Sequence, residues 1–86
     1  MNWYKATEQK PNIANKEKYY DDSNGVTYIY EVSDELLIYD KYNCYVARYV
    51  RERDSDREYF ELQDGEQLFL DDIYWAYISL PTELAS

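Results

Sequence analysis

Histidine is missing from this 86-residue chain, cysteine occurs once, at Cys44, and glycine and proline occur twice each. Each scarcity removes a class of function. With no imidazole to activate it, the lone thiol cannot be the nucleophile of a Cys–His site, and Ser–His sites are excluded too. Zinc sites built on thiolate and imidazole fall with them, and Asp54-x-Asp56 and Asp64-x-Glu66 lack the remaining ligands of a calcium loop; no metal and no cofactor is expected. A single cysteine cannot form an internal disulfide, which favours a reducing compartment. Gly25 and Gly65 both lie in turn sequences, which leaves no glycine-rich phosphate loop. No apolar run approaches the roughly 20 residues of a membrane helix. The opening Met1-Asn2-Trp3-Tyr4-Lys5 lacks the basic-then-apolar order of a signal peptide. The expected location is the cytoplasm.

Positive charge is also scarce. Nine Lys and Arg stand against 18 Asp and Glu, a net charge of −9. The imbalance is local: residues 1–18 are net positive, the arginine-rich stretch 48–58 is neutral, and the surplus acid lies in 19–47 and 59–86. Phosphate backbones and anionic lipid repel such a chain. Direct binding to nucleic acid or membrane is therefore not expected. A protein partner with a basic surface is.

What the chain has in quantity is tyrosine, twelve residues of it, within a composition that is 45% hydrophobic. That is enough for one small folded domain rather than an acidic tail. A ring with a polar tip covers a thin core while its hydroxyl stays wet. Strand signals dominate. Asn24-Gly25 and Asp64-Gly65 read as tight type I′ hairpin turns. Val26–Val32 reads as a strand, Ser33-Asp34-Glu35 as a break, and Leu36–Asp40 as the next strand. Lys41-Tyr42-Asn43 makes a turn, and from Cys44 to Arg51 residues alternate between two faces. A charged loop, Arg51–Asp56, leads to strands at Glu58–Leu62, Gln67–Leu70 and Ile73–Leu80, the last stopped by Pro81. The stretch Arg57–Pro81 is expected to supply most of the core. Residues 1–18 read as an N-terminal loop or short helical turn, 19–81 as an antiparallel meander, and 82–86 as a tail. The predicted fold is mainly β, a curled antiparallel sheet or small barrel of five to six strands with at most one helical turn.

A resemblance enters here. Trp3…Glu8-x-x-Pro11, Leu37-Ile38-Tyr39-Asp40, Ala47-Arg48-Tyr49, Asp64-Gly65-Glu66 and Trp75…Leu80-Pro81 together resemble a small domain common in phages and prophages, a domain of unknown function. Its members open with a Trp and a Pro several residues on, carry a Leu-Val-Tyr-type strand, and close on Trp followed by Leu-Pro. The similarity skips residues 14–34, where this chain carries an extra hairpin. It also departs at the close, where Ile73–Ile78 replaces a Thr-His-Trp-Met-Pro-Leu-Pro-like ending and removes its His. The resemblance implies phage origin and a β-rich fold, and no activity.

Five carboxylate pairs occur, at Asp21/Asp22, Asp34/Glu35, Asp54/Asp56, Asp64/Glu66 and Asp71/Asp72. A glycosidase would need two of them facing across a cleft. Every pair falls in a predicted turn, where acids serve turn geometry and solubility. The chain is expected to be no enzyme. Carboxylates interleaved with tyrosines can instead mimic a nucleic-acid backbone and dock into a basic groove. The partner-binding candidates are Asp21, Asp22, Asp34, Glu35, Asp64, Glu66, Asp71 and Asp72 with Tyr19, Tyr20 and Tyr42. Arg48, Arg51, Arg53 and Arg57 either hold an anion or pair across strands with Glu52, Asp54, Asp56 and Glu58. With the phage resemblance, the leading expectation is an anti-CRISPR-like inhibitor of a host nucleic-acid-dependent defence enzyme, monomeric or homodimeric. The alternatives are a self-associating structural β-domain and a small-ligand module.

Overall fold

The computed structural model describes residues 2–78. Pro81, the closing Leu80-Pro81 and the expected 82–86 tail lie outside them. The described residues form seven strands: β1 (Tyr4–Lys5), β2 (Asn15–Asp21), β3 (Val26–Tyr39), β4 (Cys44–Glu52), β5 (Glu58–Leu62), β6 (Gln67–Leu68) and β7 (Tyr74–Tyr77). All pairings are antiparallel, in the order β1-β7-β3-β4-β5-β6, with β2 on the same side of β3 as β7. The sheet is a curled half-barrel, which meets the mainly-β expectation. β1 and β6, two residues each, raise the strand number above five or six.

β3 organises the molecule, in place of the expected Arg57–Pro81. It is 14 residues long, and at about 3.3 Å per residue it runs most of the protein's 46 Å length. It pairs with β2, β4 and β7. Val32, Leu36, Ile38, Ala47, Tyr49 and Val50, all buried, come from β3 and β4, against Tyr59, Phe60, Ile73, Trp75 and Ala76 from the later stretch.

The predicted break at Ser33-Asp34-Glu35 is a β-bulge instead. Val32 pairs with Val50 and Glu35 with Arg48, so Ser33 and Asp34 together oppose Tyr49. The extra residue inverts the alternation. Tyr30 and Val32 point to one face, Leu36 and Ile38 to the other. One strand thereby feeds two apolar clusters. The larger holds Ala6, Leu36, Ile38, Ala47, Tyr49, Phe60, Ile73 and Trp75. The smaller, on the opposite or outer face, holds Val32, Val50 and Tyr59 with Tyr30 against it. Ser33 is buried, and its hydroxyl accepts the Tyr49 N–H at 2.8 Å while donating to the Asp34 carbonyl at 2.7 Å. The backbone donor that the bulge strips of a ladder partner is satisfied by the bulge's own side chain.

The N-terminal segment straps the larger cluster. Ala6 is fully buried, the Trp75 indole donates to the Gln9 carbonyl at 2.8 Å, Tyr4 packs on Trp75 at 4.7 Å, and Lys10 reaches Glu58 at 3.5 Å. Gln9 N–H bonds back to the Lys5 carbonyl, a single helical turn. The boundary expected at residue 19 moves to 15, because Asn15–Asp21 is strand rather than loop or helical turn. β2 is exposed along nearly its whole length, and an edge strand that buries neither face carries no apolar alternation to betray it.

The turns differ in kind from the type I′ expectation. That turn needs positive φ at both central residues, and Gly25 (φ 69°) and Gly65 (φ 91°) are positive while Asn24 and Asp64 are not. Asp22–Gly25 is a four-residue loop closed by Gly25 N–H to the Asp21 carbonyl. Arg53–Asp56 repeats that form, with Asp56 at φ 57°. The tightest connection is Lys41-Tyr42, where Lys41 takes φ 79° and the Asp40 carboxylate accepts the Tyr42 and Asn43 amides at 2.9 and 2.7 Å.

Candidate functional site

The eight acids expected to meet a partner do not gather in one patch. Asp21 and Asp22 lie at the β2–β3 tip, whereas Asp71 and Asp72 lie at the opposite end of β3, where Asp72 reaches Lys41 at 3.8 Å beside Tyr42. Several are occupied in shaping turns. The Asp21 carboxylate accepts the Ser23 hydroxyl (2.6 Å) and amide (2.9 Å), which hold its pKa below the ordinary value. The Asp64 carboxylate accepts the Glu66 amide at 2.9 Å, and Asp64 and Glu66 share the rim of a shallow hollow with Tyr45. Asp34 and Glu35 sit in β3 rather than in a turn. Tyr19, Tyr20 and Tyr42 are exposed, Tyr42 at 88%.

What the fold does assemble is the outer face. Paired residues of neighbouring strands point the same way. The register therefore puts Asp21, Glu17, Glu35, Glu52 and Glu61 on that face, together with Tyr19, Tyr28, Tyr30, Tyr39, Tyr59 and Tyr74. At its centre is Arg48, whose guanidinium bonds Glu61 through Nε (2.9 Å) and Glu17 through an Nη nitrogen (2.7 Å). Glu17 and then Glu61 hold that charge more firmly than in water and raise the Arg48 pKa.

Beside Arg48 opens a groove of about 470 Å³ lined by Glu17, Lys18, Tyr19, Tyr30, Arg48, Val50, Glu52, Tyr59, Glu61 and Gln67. Val50 and Tyr59, with Tyr30, form its apolar floor. The Tyr59 hydroxyl donates to Glu52 at 3.0 Å, and burial followed by that carboxylate pushes the phenol up to about 12. Burial and then Glu52 raise Tyr30 as well. Three carboxylates against two cations leave the lining acidic.

The arginines pair with acids, Arg57 with one of the expected partners, Glu52, and Arg48 and Arg51 with others. Arg48 takes Glu17 and Glu61, Arg51 takes Glu31 at 2.9 Å, and Arg57 approaches Glu52 at 3.9 Å while standing 5.7 Å over the Tyr59 ring. Glu58 accepts the Tyr49 hydroxyl instead. Arg53 is tied through its backbone to Ile29. No free arginine cluster forms among the described residues.

Glu17, Glu52, Glu61, Tyr30 and Tyr59 are the lining residues that the turn-centred reading misses. A signal existed in the alternation of β4 and β5, where Arg48, Val50 and Glu52 share a side, as do Tyr59 and Glu61. Deciding which side is outward required the bulge. A separate apolar hollow of about 430 Å³ lies further along between Trp3, Tyr39, Cys44 and Tyr74, with Trp3 packed 6.1 Å from Tyr39. Among the described residues no three His, Cys, Asp or Glu side chains converge as a metal site. No helix among the described residues is long and apolar enough to cross a membrane. Compared with known protein families, curated proteins and solved structures, the chain matches none.

Proposed function

We propose that this protein is a non-catalytic binding module that engages a basic protein surface, with the outer face of its sheet as the contact. The observation that carries the reading is the segregation itself: four glutamates and six tyrosines share the face opposite the main core, around one already neutralised arginine. Carboxylates steer a cationic partner to the face, and tyrosine rings supply rigid contact area at small entropy cost. On the phage resemblance, the finer reading is an inhibitor of a host nucleic-acid-dependent defence enzyme, of the anti-CRISPR type, acting in the cytoplasm by occupying or distorting a basic nucleic-acid channel. The acids at the two ends, Asp21-Asp22 and Asp71-Asp72, extend the charged length beyond the groove.

The test is a cleavage assay with a panel of nucleic-acid-dependent defence nucleases, with and without the protein. Inhibition of at least one is expected, steeply relieved by salt and by charge reversal at Glu17 and Glu61. Cleavage unaffected across the panel would remove the inhibitor reading. A second reading, self-association, draws on β2, a seven-residue strand with one edge unpaired among the described residues. Lys16 and Lys18 on that edge oppose it, and light scattering over a concentration series separates monomer from homodimer.

A further inference from the structure

The groove beside Arg48 is built from parts that suit one chemical group. Two internal guanidinium groups already use them: Arg48 lies between Glu17 and Glu61, and Arg57 lies on the Tyr59 ring and near Glu52. Arg48 engages one oxygen of each flanking carboxylate, Oε2 of Glu17 and Oε1 of Glu61. The second oxygen of each makes no hydrogen bond among the described residues. Tyr19, 58% exposed, and half-buried Tyr30 supply ring surface to the same groove above the apolar Val50. A free carboxylate oxygen and an aromatic ring side by side are what a planar, weakly hydrated cation prefers over a compact ammonium.

Resting on the reading that the outer face binds a basic partner, we propose that this groove receives an arginine side chain of that partner. The incoming guanidinium lies over Tyr19 and Tyr30 and donates to the free oxygens of Glu17 and Glu61. Arg48 is a positioning residue here: it fixes both carboxylates and keeps them from repelling each other before the partner arrives. The groove volume of about 470 Å³ is within the range of side-chain and small-ligand pockets, about 300–1,000 Å³. The acidic lining excludes an anion.

The experiment titrates the full chain with a short arginine peptide and with a lysine peptide of equal length, read by amide chemical shifts and by calorimetry. The arginine peptide is expected to bind tighter and to shift amides at 17–19, 30, 48–50 and 59–61 in the unsubstituted protein. Replacing the two carboxylates together, Glu17→Gln with Glu61→Gln, should weaken it by about tenfold or more, the loss of charge-assisted hydrogen bonds. Asp71→Asn with Asp72→Asn, the same charge change outside the groove, should weaken it by less than about threefold, a share of the screened long-range field. Equal weakening by the two pairs, equal binding of the lysine peptide, or shifts confined to residues outside the groove would overturn the arginine site while leaving a diffuse acidic surface. Failure of both peptides to bind would overturn the basic-partner reading as well. The shift map of the unsubstituted protein decides the matter even where a substituted chain does not fold.

Discussion

Replacing Ser33 with Ala removes one oxygen atom and should cost far more than a surface substitution does. The hydroxyl is the acceptor for the buried Tyr49 N–H at 2.8 Å. Tyr49 faces the two-residue side of the bulge, and no ladder carbonyl stands in for the lost oxygen. A buried donor left without a partner costs about 1–3 kcal/mol. Against a total stability of roughly 5–15 kcal/mol that is a large fraction. For a domain of this size it lowers Tm by roughly 4–8 °C per kcal/mol. Urea unfolding and thermal scans of Ser33→Ala give the value, and Ser33→Thr, which keeps the hydroxyl, should recover much of it. Asp34→Ala removes an exposed side chain from the same bulge and should stay within about 0.5 kcal/mol of the parent. Amide exchange supplies the local readout: the Tyr49 N–H should exchange faster in Ser33→Ala. A Ser33→Ala protein as stable as Asp34→Ala, with the Tyr49 amide equally protected, would refute the role given to this hydroxyl.

Alkaline pH should unfold the protein through its buried phenols. The Tyr59 pKa is raised from 10.0 to about 12, so the neutral phenol is the form that the fold favours. Its contribution is complete below pH 10 and is lost as pH rises towards 12. Burial, and then Glu58, raise Tyr49 further still. Ultraviolet titration should show a late, cooperative phase of phenol ionisation coincident with loss of circular dichroism; phenol ionisation that is complete before any circular dichroism is lost would contradict this. Trp75→Phe keeps a ring in the core but deletes the donor to the Gln9 carbonyl, and should cost about 2 kcal/mol with faster amide exchange across residues 4–9. Unchanged exchange there would mean the strap is held by other contacts.

The strand content was legible because its signals are local. Branched and aromatic runs, Gly25 and Gly65, and the alternation from Cys44 to Arg51 each act within a few residues, and each marks a strand or turn in the structure. Three things were not local. β2 is exposed nearly throughout, and only its pairing with β3 makes it a strand. The loop lengths depend on which residues end up opposed, so Asn24-Gly25 looked tighter than the four-residue loop it closes. Ser33-Asp34-Glu35 contains the residue types that break strands, and nothing nearby shows that Tyr49, sixteen positions on, offers an N–H to the Ser33 hydroxyl.

That last misreading explains the site as well. With a break at Ser33, the two halves of β3 are separate strands, and each can be turned to put its apolar side inward. The acids left over then seem to belong to the turns. With a bulge, the halves are one strand whose alternation is inverted at Ser33-Asp34, and Tyr30 and Val32 are committed to the face that Leu36 and Ile38 avoid. Val50 and Tyr59 must follow them, since they are paired in register. Glu17, Glu52 and Glu61 are carried to the same side by the same pairings. The acidic, tyrosine-lined groove is therefore a consequence of one extra residue in one strand. Deleting Asp34 should abolish the groove and the fold together, whereas neutralising the groove's carboxylates should spare the fold.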